Sequence, residues 1–237
     1  MHFNLMEDKA YRIPVDERRL GDDMGKYVIE LRNVNKKFGE NSVLENVSLR
    51  CESGKIYGIV GYNGSGKTVL FKCICGFFHV DEGEILINNK RMGKEIDMLN
   101  DAGIIIEEPG YIRNLSGYRN LDYLYRIRNK PDKKHLYDMM LKVGLEPLSK
   151  KHVCHYSLGM KQRLAIAQAT MENQEILILD EPMNGLDKRG VAEMRCFFEE
   201  LKSMGKLIIL ASHNKEDIDV LCDEVYEMDM GKLSKIR

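Results

Sequence analysis

Lys55–Phe78 reads KIYGIVGYNGSGKTVLFKCICGFF and carries three signals in a fixed order. First comes a short apolar run with aromatic and β-branched members, Ile56, Tyr57, Ile59 and Val60, which predicts a buried strand. Gly61-Tyr62-Asn63-Gly64-Ser65-Gly66-Lys67-Thr68 follows without a gap and fits G-x-x-x-x-G-K-T at every position. Val69, Leu70, Phe71 and Ile74 then predict a helix running to Gly76. Such a loop turns backbone N–H groups inward around phosphate oxygens, and the helix behind it aims its positive end at the same anion. Lys67 adds a mobile positive charge for the β- and γ-phosphates, and the Thr68 hydroxyl is a ligand for Mg²⁺. A glycine-rich turn that matched by chance would lack the flanking strand and helix. The expectation is a nucleoside triphosphate site.

Outward from this stretch, strand and helix signals alternate. On its N-terminal side, Tyr27, Ile29 and Leu31 alternate with Val28, Glu30 and Arg32 as a half-buried strand. Lys36-Lys37-Phe38-Gly39 reads as a turn, and Val43 to Leu49 as a second alternating strand. On the C-terminal side, Asp81-Glu82-Gly83 reads as a turn, followed by strands at 84–87 and 102–106. The period then becomes helical. Ser116 caps a helix with Tyr118, Leu121, Leu124 and Tyr125 on one face, and Asp132 caps another that Gly144 closes. Ser157 opens a third, carrying Met160, Leu164, Ala167 and Met171. Glu175 to Glu181 is an apolar strand ending in two carboxylates. Helix 188–204, strand 207–211, helix 216–222, strand 224–229 and a short return after Gly231 complete the series. The expected fold is α/β, of the P-loop type. Its core is a mostly parallel sheet with helices on both faces, joined by an antiparallel β subdomain and a helical insertion at about 108–170. Residues 1–25 read as a polar extension ahead of a body at 26–237, with Met24 as an alternative translation start.

Composition narrows the function class. Of 237 residues, 36 are basic and 37 acidic, so total charge makes no case for nucleic acid or anionic lipid as a partner. No apolar run approaches the roughly 18 residues that a membrane span needs, and the charged N-terminus is no signal peptide. Cys51, Cys73, Cys75, Cys154, Cys196 and Cys222 are scattered, mostly in apolar runs, which suits buried reduced thiols. His152, Cys154 and His155 match no usual zinc spacing, and Cys73 and Cys75, two apart on a helix, are expected on different faces. Both groups read as structural.

The strand ending in Asp180-Glu181 presents its carboxylates where an α/β sheet exposes side chains to ligand. Asp180 suits a hard cation, with Thr68, and Glu181 suits a general base that polarises an attacking water. Between loop and strand lies Tyr156-Ser157-Leu158-Gly159-Met160-Lys161-Gln162-Arg163-Leu164. A serine hydroxyl and free N–H groups at a helix start form a second anion site.

With these residues in hand, about 27–237 of the chain resembles the ATP-binding subunit of ABC transporters. YSLGMKQRL resembles that family's LSGGQ signature, keeping Ser157 and Gly159 and departing at Leu158 and Met160. The resemblance implies that Ser157 and Gly159 close over ATP held by a partner cassette, in a homodimer or a dimer with a related chain. It also implies that Phe38 stacks on adenine, that Asp187 in Asn184-Gly185-Leu186-Asp187 belongs to the D-loop, and that His213 contacts the γ-phosphate. The family's Q-loop glutamine, a Mg²⁺ ligand, falls at Glu107. IIIEEPGYIRNLSGYRNL with SLGMKQR is similar to the branch serving bacitracin-type and lantibiotic-type peptide export and immunity. ATP and Mg²⁺ are the implied cofactors. The implied partner is an integral membrane permease, with this chain cytoplasmic on the inner face of the cell membrane. A soluble ABC-type ATPase of translation, cluster assembly or DNA maintenance is the alternative.

Overall fold

Two sheets form because two kinds of apolar pattern occur along the chain. The computed structural model describes residues 27–107 and 110–237. The expected extension at 1–25 lies outside the described residues, as do Glu108 and Pro109 of the quoted motif. The first sheet takes the alternating segments: β1 (Val28–Phe38), β2 (Asn41–Glu52), β4 (Glu82–Ile87) and the short β5 (Lys90–Arg91). It is antiparallel in the order β2-β1-β4-β5. Between β2 and β4 come β3 (Ile56–Val60) and helix α1 (Lys67–Ile74).

The second sheet takes the segments that are apolar on both faces, as buried parallel strands are. After β6 (Ala102–Ile105) come α2 (Gly117–Tyr125), α3 (Lys133–Lys142) and α4 (Leu158–Thr170). Then follow β7 (Ile176–Asp180), α5 (Lys188–Ser203), β8 (Leu207–Ala211), α6 (Lys215–Leu221), β9 (Glu224–Asp229) and β10 (Lys232–Lys235). The order is β10-β9-β3-β8-β7-β6, parallel throughout except for β10 on β9. β3, which leads into the glycine loop, is therefore central.

Side-chain alternation splits the interior into two cores. Ile56, Leu177, Leu179, Ile208 and Leu210 face α2 to α5, together with Met194 and Phe198. Tyr57, Ile59, Ile176, Ile178, Ile209 and Ala211 face the other way, against Leu70, Phe71 and Ile74 of α1 and the apolar side of the first sheet. Each large aliphatic buried this way contributes about 1.5–3 kcal/mol. Helices thus lie on both faces as expected, and on the second face α1 shares the cover with the small antiparallel sheet. The cause is the β1–β2–β4 side bearing Ile29, Leu31, Leu49 and Ile85, which needs a cover of its own.

Two expected turns are mostly strand, with only Gly39 and Asp81 left outside it. β1 continues through Lys36 and Lys37 to Phe38, and the reversal falls at Gly39–Glu40. Register shifts between Leu31 and Lys37 absorb the polar residues without ending the pairing. Likewise β4 already begins at Glu82, where Gly83 (φ +81°) lets the strand pass so close to β1 that a Cβ would strike the Asn33 carbonyl. The caps at Ser116, Asp132 and Ser157 form as expected, each accepting a hydrogen bond from the backbone N–H three residues on.

Cys73 and Cys75 are both buried in the same core, because α1 is enclosed between the two sheets. Burial pushes the Cys73 thiol up to about 11, and those of Cys75 and Cys222 up to about 12, so they stay protonated. Cys196 differs from the reading of buried thiols, being exposed on α5.

Candidate nucleotide site

The C-terminal ends of β3, β6 and β7 open onto one cleft of about 610 Å³. Asn63, Gly64, Gly66, Lys67 and Thr68 form its floor, and Asp180 and Glu181 stand beside them. Gly61 leaves β3 with φ +151°, and a Cβ there would collide with the Met228 carbonyl and come within 2.8 Å of Ser65 Oγ. Only glycine lets the loop begin so tightly against β9. Lys67 opens α1 and is only 8% exposed. Its Nζ donates to the carbonyls of Gly61 (2.7 Å) and Tyr62 (2.9 Å), which curls the loop around the ammonium. Ser65 Oγ is buried in this loop with no hydrogen-bond partner, as suits a cradle built to receive further acceptor oxygens.

Thr68 and Asp180 lie 112 residues apart in sequence, and the Thr68 hydroxyl donates to Asp180 Oδ2 at 2.8 Å. That pair presents the oxygen donors a hard divalent cation prefers. Glu181 sits one residue past β7 with φ +49°, a conformation uncommon outside glycine. Three contacts hold it there. Its N–H donates to the Ala211 carbonyl at 2.9 Å, and its own carbonyl accepts from Asn184 N–H (3.2 Å) and Gln162 Nε2 (3.3 Å). His213, just past β8, brings Nδ1 to 2.9 Å from Glu181 Oε2. A carboxylate and an imidazole so joined can receive a proton from a water between them and a phosphate.

Glu107 follows β6 with φ +60° and borders the same cleft. Its carboxylate is drawn onto Lys72 of α1, Oε1 to Nζ 2.6 Å.

Other expected site residues stand apart from the cleft wall. Phe38 lies at the end of β1, edge-on to Phe78 with ring centroids 5.3 Å apart and Lys36 Nζ 5.3 Å over its face. Tyr62 projects from the loop, 80% exposed. Ser157 Oγ accepts from Met160 N–H at 3.2 Å, and Asp187 caps α5 by accepting from Gly190 N–H at 2.8 Å. Gly159 packs on the backbone of Gly185, where a Cβ would lie 2.8 Å from the carbonyl oxygen.

Gln162 was missed as a site residue. It borders the cleft together with Leu158, and its Nε2 donates to the Pro182 carbonyl at 2.8 Å, buttressing the backbone that carries Glu181. Leu158 and Gln162 stand four apart on α4, so one helix face carries both, and that spacing was the available signal.

A glycine loop on the central strand of a parallel sheet, facing an acidic strand end, defines a P-loop nucleoside triphosphatase. Comparison with known proteins narrows the class. Residues 44–184 match the family model described as ABC transporter. The uncharacterized ABC transporter ATP-binding protein YybJ of Bacillus subtilis is 41% identical over 206 residues, covering 87% of this chain and 94% of that protein. The bacitracin transport ATP-binding protein BcrA of Enterococcus faecalis is 39% identical, covering 88% of this chain and 68% of that one. The lantibiotic transport ATP-binding protein SrtF of Streptococcus pyogenes is 34% identical, covering 87% and 89%. Among solved structures, the dimeric form of a bacterial ABC transporter cassette superposes with a TM-score of 0.77 at 24% identity, over 88% of this chain and 99% of that one. The chain belongs to the ABC transporter family. It is an ATP-binding subunit that hydrolyses ATP, and its cassette fold is the one expected from the sequence. Among the described residues no helix is long and apolar enough to cross a membrane.

Proposed function

We propose that this chain powers a separate membrane permease that exports a peptide antibiotic or a related amphipathic compound. The observation that carries the catalytic part is the convergence of Thr68, Asp180 and Glu181 on one cleft beside Lys67, with His213 joined to Glu181 from outside the wall. The substrate class rests on the resemblance to proteins named for bacitracin and lantibiotic transport. In this reading residues 26–237 form the cassette, with a helical subdomain at about 108–170, on the inner face of the cell membrane.

Lys67 holds the β- and γ-phosphates, and the N–H groups of 63–68 surround their oxygens. Glu107, Asp180 and Glu181 would repel a triphosphate, so the cleft calls for a divalent cation, with Thr68 and Asp180 as its holders. Mg²⁺, when bound, supplies a Lewis acid that draws charge from the phosphate oxygens. Glu181 takes the proton of the attacking water, and His213 orients Glu181 and meets the γ-phosphate. Phe38 offers a ring to adenine. Expressing the chain with its permease in a sensitive host should raise resistance to bacitracin or a lantibiotic, and Glu181→Gln should abolish the gain. Unaltered sensitivity to every peptide tried, with both chains shown in the membrane fraction, would sink the substrate reading.

Ser157 and Gly159 lie off the wall of their own cleft, which supports a head-to-tail dimer in which each serves the partner's nucleotide. The chain should be monomeric without nucleotide and dimeric with ATP once hydrolysis is blocked. Light scattering on Glu181→Gln decides this, since a monomer with ATP demonstrably bound contradicts shared sites.

Glu107 has two candidate partners, Lys72 and the metal. If it turns to the metal, Glu107→Gln should shift the Mg²⁺ concentration for half-maximal ATPase while metal-free nucleotide binding stays unchanged. Lys72→Met, which frees the carboxylate, should shift it the opposite way. Superimposable Mg²⁺ titrations for both variants and wild type leave Glu107 only its ion pair.

A further inference from the structure

We propose that the exposed face of α2, continued through the turn into α3, docks on an anionic lipid surface. The near-neutral total charge conceals a segregation. Between Tyr111 and Tyr156, ten lysines and arginines stand against four aspartates and glutamates, so the remainder of the chain carries an acidic excess. Among the described residues, the only ion pairs made by cations of this segment are Arg126 with Asp122 and Lys142 with Glu200. Arg119, Arg128, Lys130 and Lys134 are exposed and make no such pair. Lys133 and Lys134 also open α3, whose first turn holds no acid. Lys133 Nζ lies 5.0 Å over the Tyr137 ring, but positive charge at this end opposes the helix dipole, so local stability does not explain Lys134.

Apolar groups sit among these cations. Arg119, Tyr123, Arg126 and Ile127 follow one another at i, i+4, i+7 and i+8, a single line along α2 and its C-terminal turn. Tyr123 is 61% exposed and Ile127 72%. The opposite side of the helix is the one that packs, through Leu121, Leu124 and Tyr125. An aromatic and an aliphatic side chain flanked by arginines and lysines is the composition of an interfacial helix. The cations meet lipid phosphates, tyrosine lies at headgroup level and isoleucine reaches the acyl boundary. An acidic protein would satisfy the charges but gives no reason for Ile127 to stand in water. This inference is independent of the substrate proposed above.

Co-sedimentation of the full chain with vesicles tests it. The chain should pellet with phosphatidylcholine–phosphatidylglycerol vesicles at low salt, stay in solution with phosphatidylcholine alone, and be released by high salt. Removing three cations together (R128Q, K130Q, K134Q) should weaken binding by at least about tenfold. Tyr123→Ser with Ile127→Ser, at unchanged charge, should also weaken it by about tenfold. Basal ATPase and melting temperature should stay at the wild-type values in both variants, because none of these residues touches the cleft. Indifference to anionic vesicles overturns the proposal, as does full binding by either variant. Binding of soluble polyglutamate with no binding to vesicles also overturns it, and assigns the face to an acidic protein.

Discussion

Replacing Glu181 with glutamine lowers ATP turnover by about 10²–10⁴-fold, the range lost with a general base, and leaves ATP binding intact. The structure makes this a clean substitution. The unusual backbone at Glu181 is held by main-chain groups and by Gln162, and none of these contacts uses the carboxylate. Glutamine therefore keeps the shape and the hydrogen bond to His213, and loses only the capacity to take a proton. Single-turnover hydrolysis, measured beside equilibrium binding of a fluorescent ATP analogue, separates the two effects. Turnover at the wild-type rate would move the base to another residue. Gln162→Ala supplies a graded comparison, because it loosens the backbone under Glu181 while leaving the carboxylate in place. It should lower turnover by less than Glu181→Gln and leave nucleotide affinity unchanged.

The second large effect is on stability. Gly103 lies in β6 where α4 crosses it, and an added Cβ would collide with the carbonyl oxygen of Ala169 and come 2.7 Å from Leu177 Cδ2. A flexible side-chain tip could move aside, but a helix carbonyl cannot without displacing the helix. Gly103→Ala should therefore cost about 3 kcal/mol, at the upper end for an overpacked core. In a chain of this length that lowers the melting temperature by about 6–12 °C. Gly110→Ala serves as the control, with nothing within 4 Å of its Cβ. Thermal unfolding followed by circular dichroism reads both. Equal melting points for the two variants would mean that β6 and α4 pack less closely than described. Because α4 carries Leu158 and Gln162 to the cleft, Gly103→Ala should also reduce ATPase activity below its unfolding range.

The glycine loop, the acidic strand end and the helix caps were legible in the sequence because each depends on neighbours along the chain. The anion cradle is local backbone geometry, and a serine or aspartate cap reaches only three residues. The parallel core was legible for a related reason. Strands such as ILILD and LIILA are apolar on both faces, and only burial between two layers satisfies that. The turns misread at Lys36–Gly39 and Asp81–Gly83 show the limit. Whether a polar stretch leaves a sheet depends on whether a neighbouring strand continues to pair with it: β2 turns straight back onto Lys36–Phe38, and the 82–83 stretch is held by β1, which lies well away in sequence.

What the sequence determined by itself was the class of ligand and the kind of fold that holds it. Tertiary structure decided which residues meet. Thr68 reaches Asp180, and Glu181 reaches His213, because β3, β7 and β8 lie side by side in an order the chain does not follow. It also drew Glu107 to Lys72, set Gln162 beneath Glu181, and left Phe38 and Ser157 off the cleft wall. The physical reason is the crossover. Parallel strands can be joined only through intervening helices, so residues sharing a strand end are separated by dozens of positions. No periodicity within one segment records which strand will lie beside it.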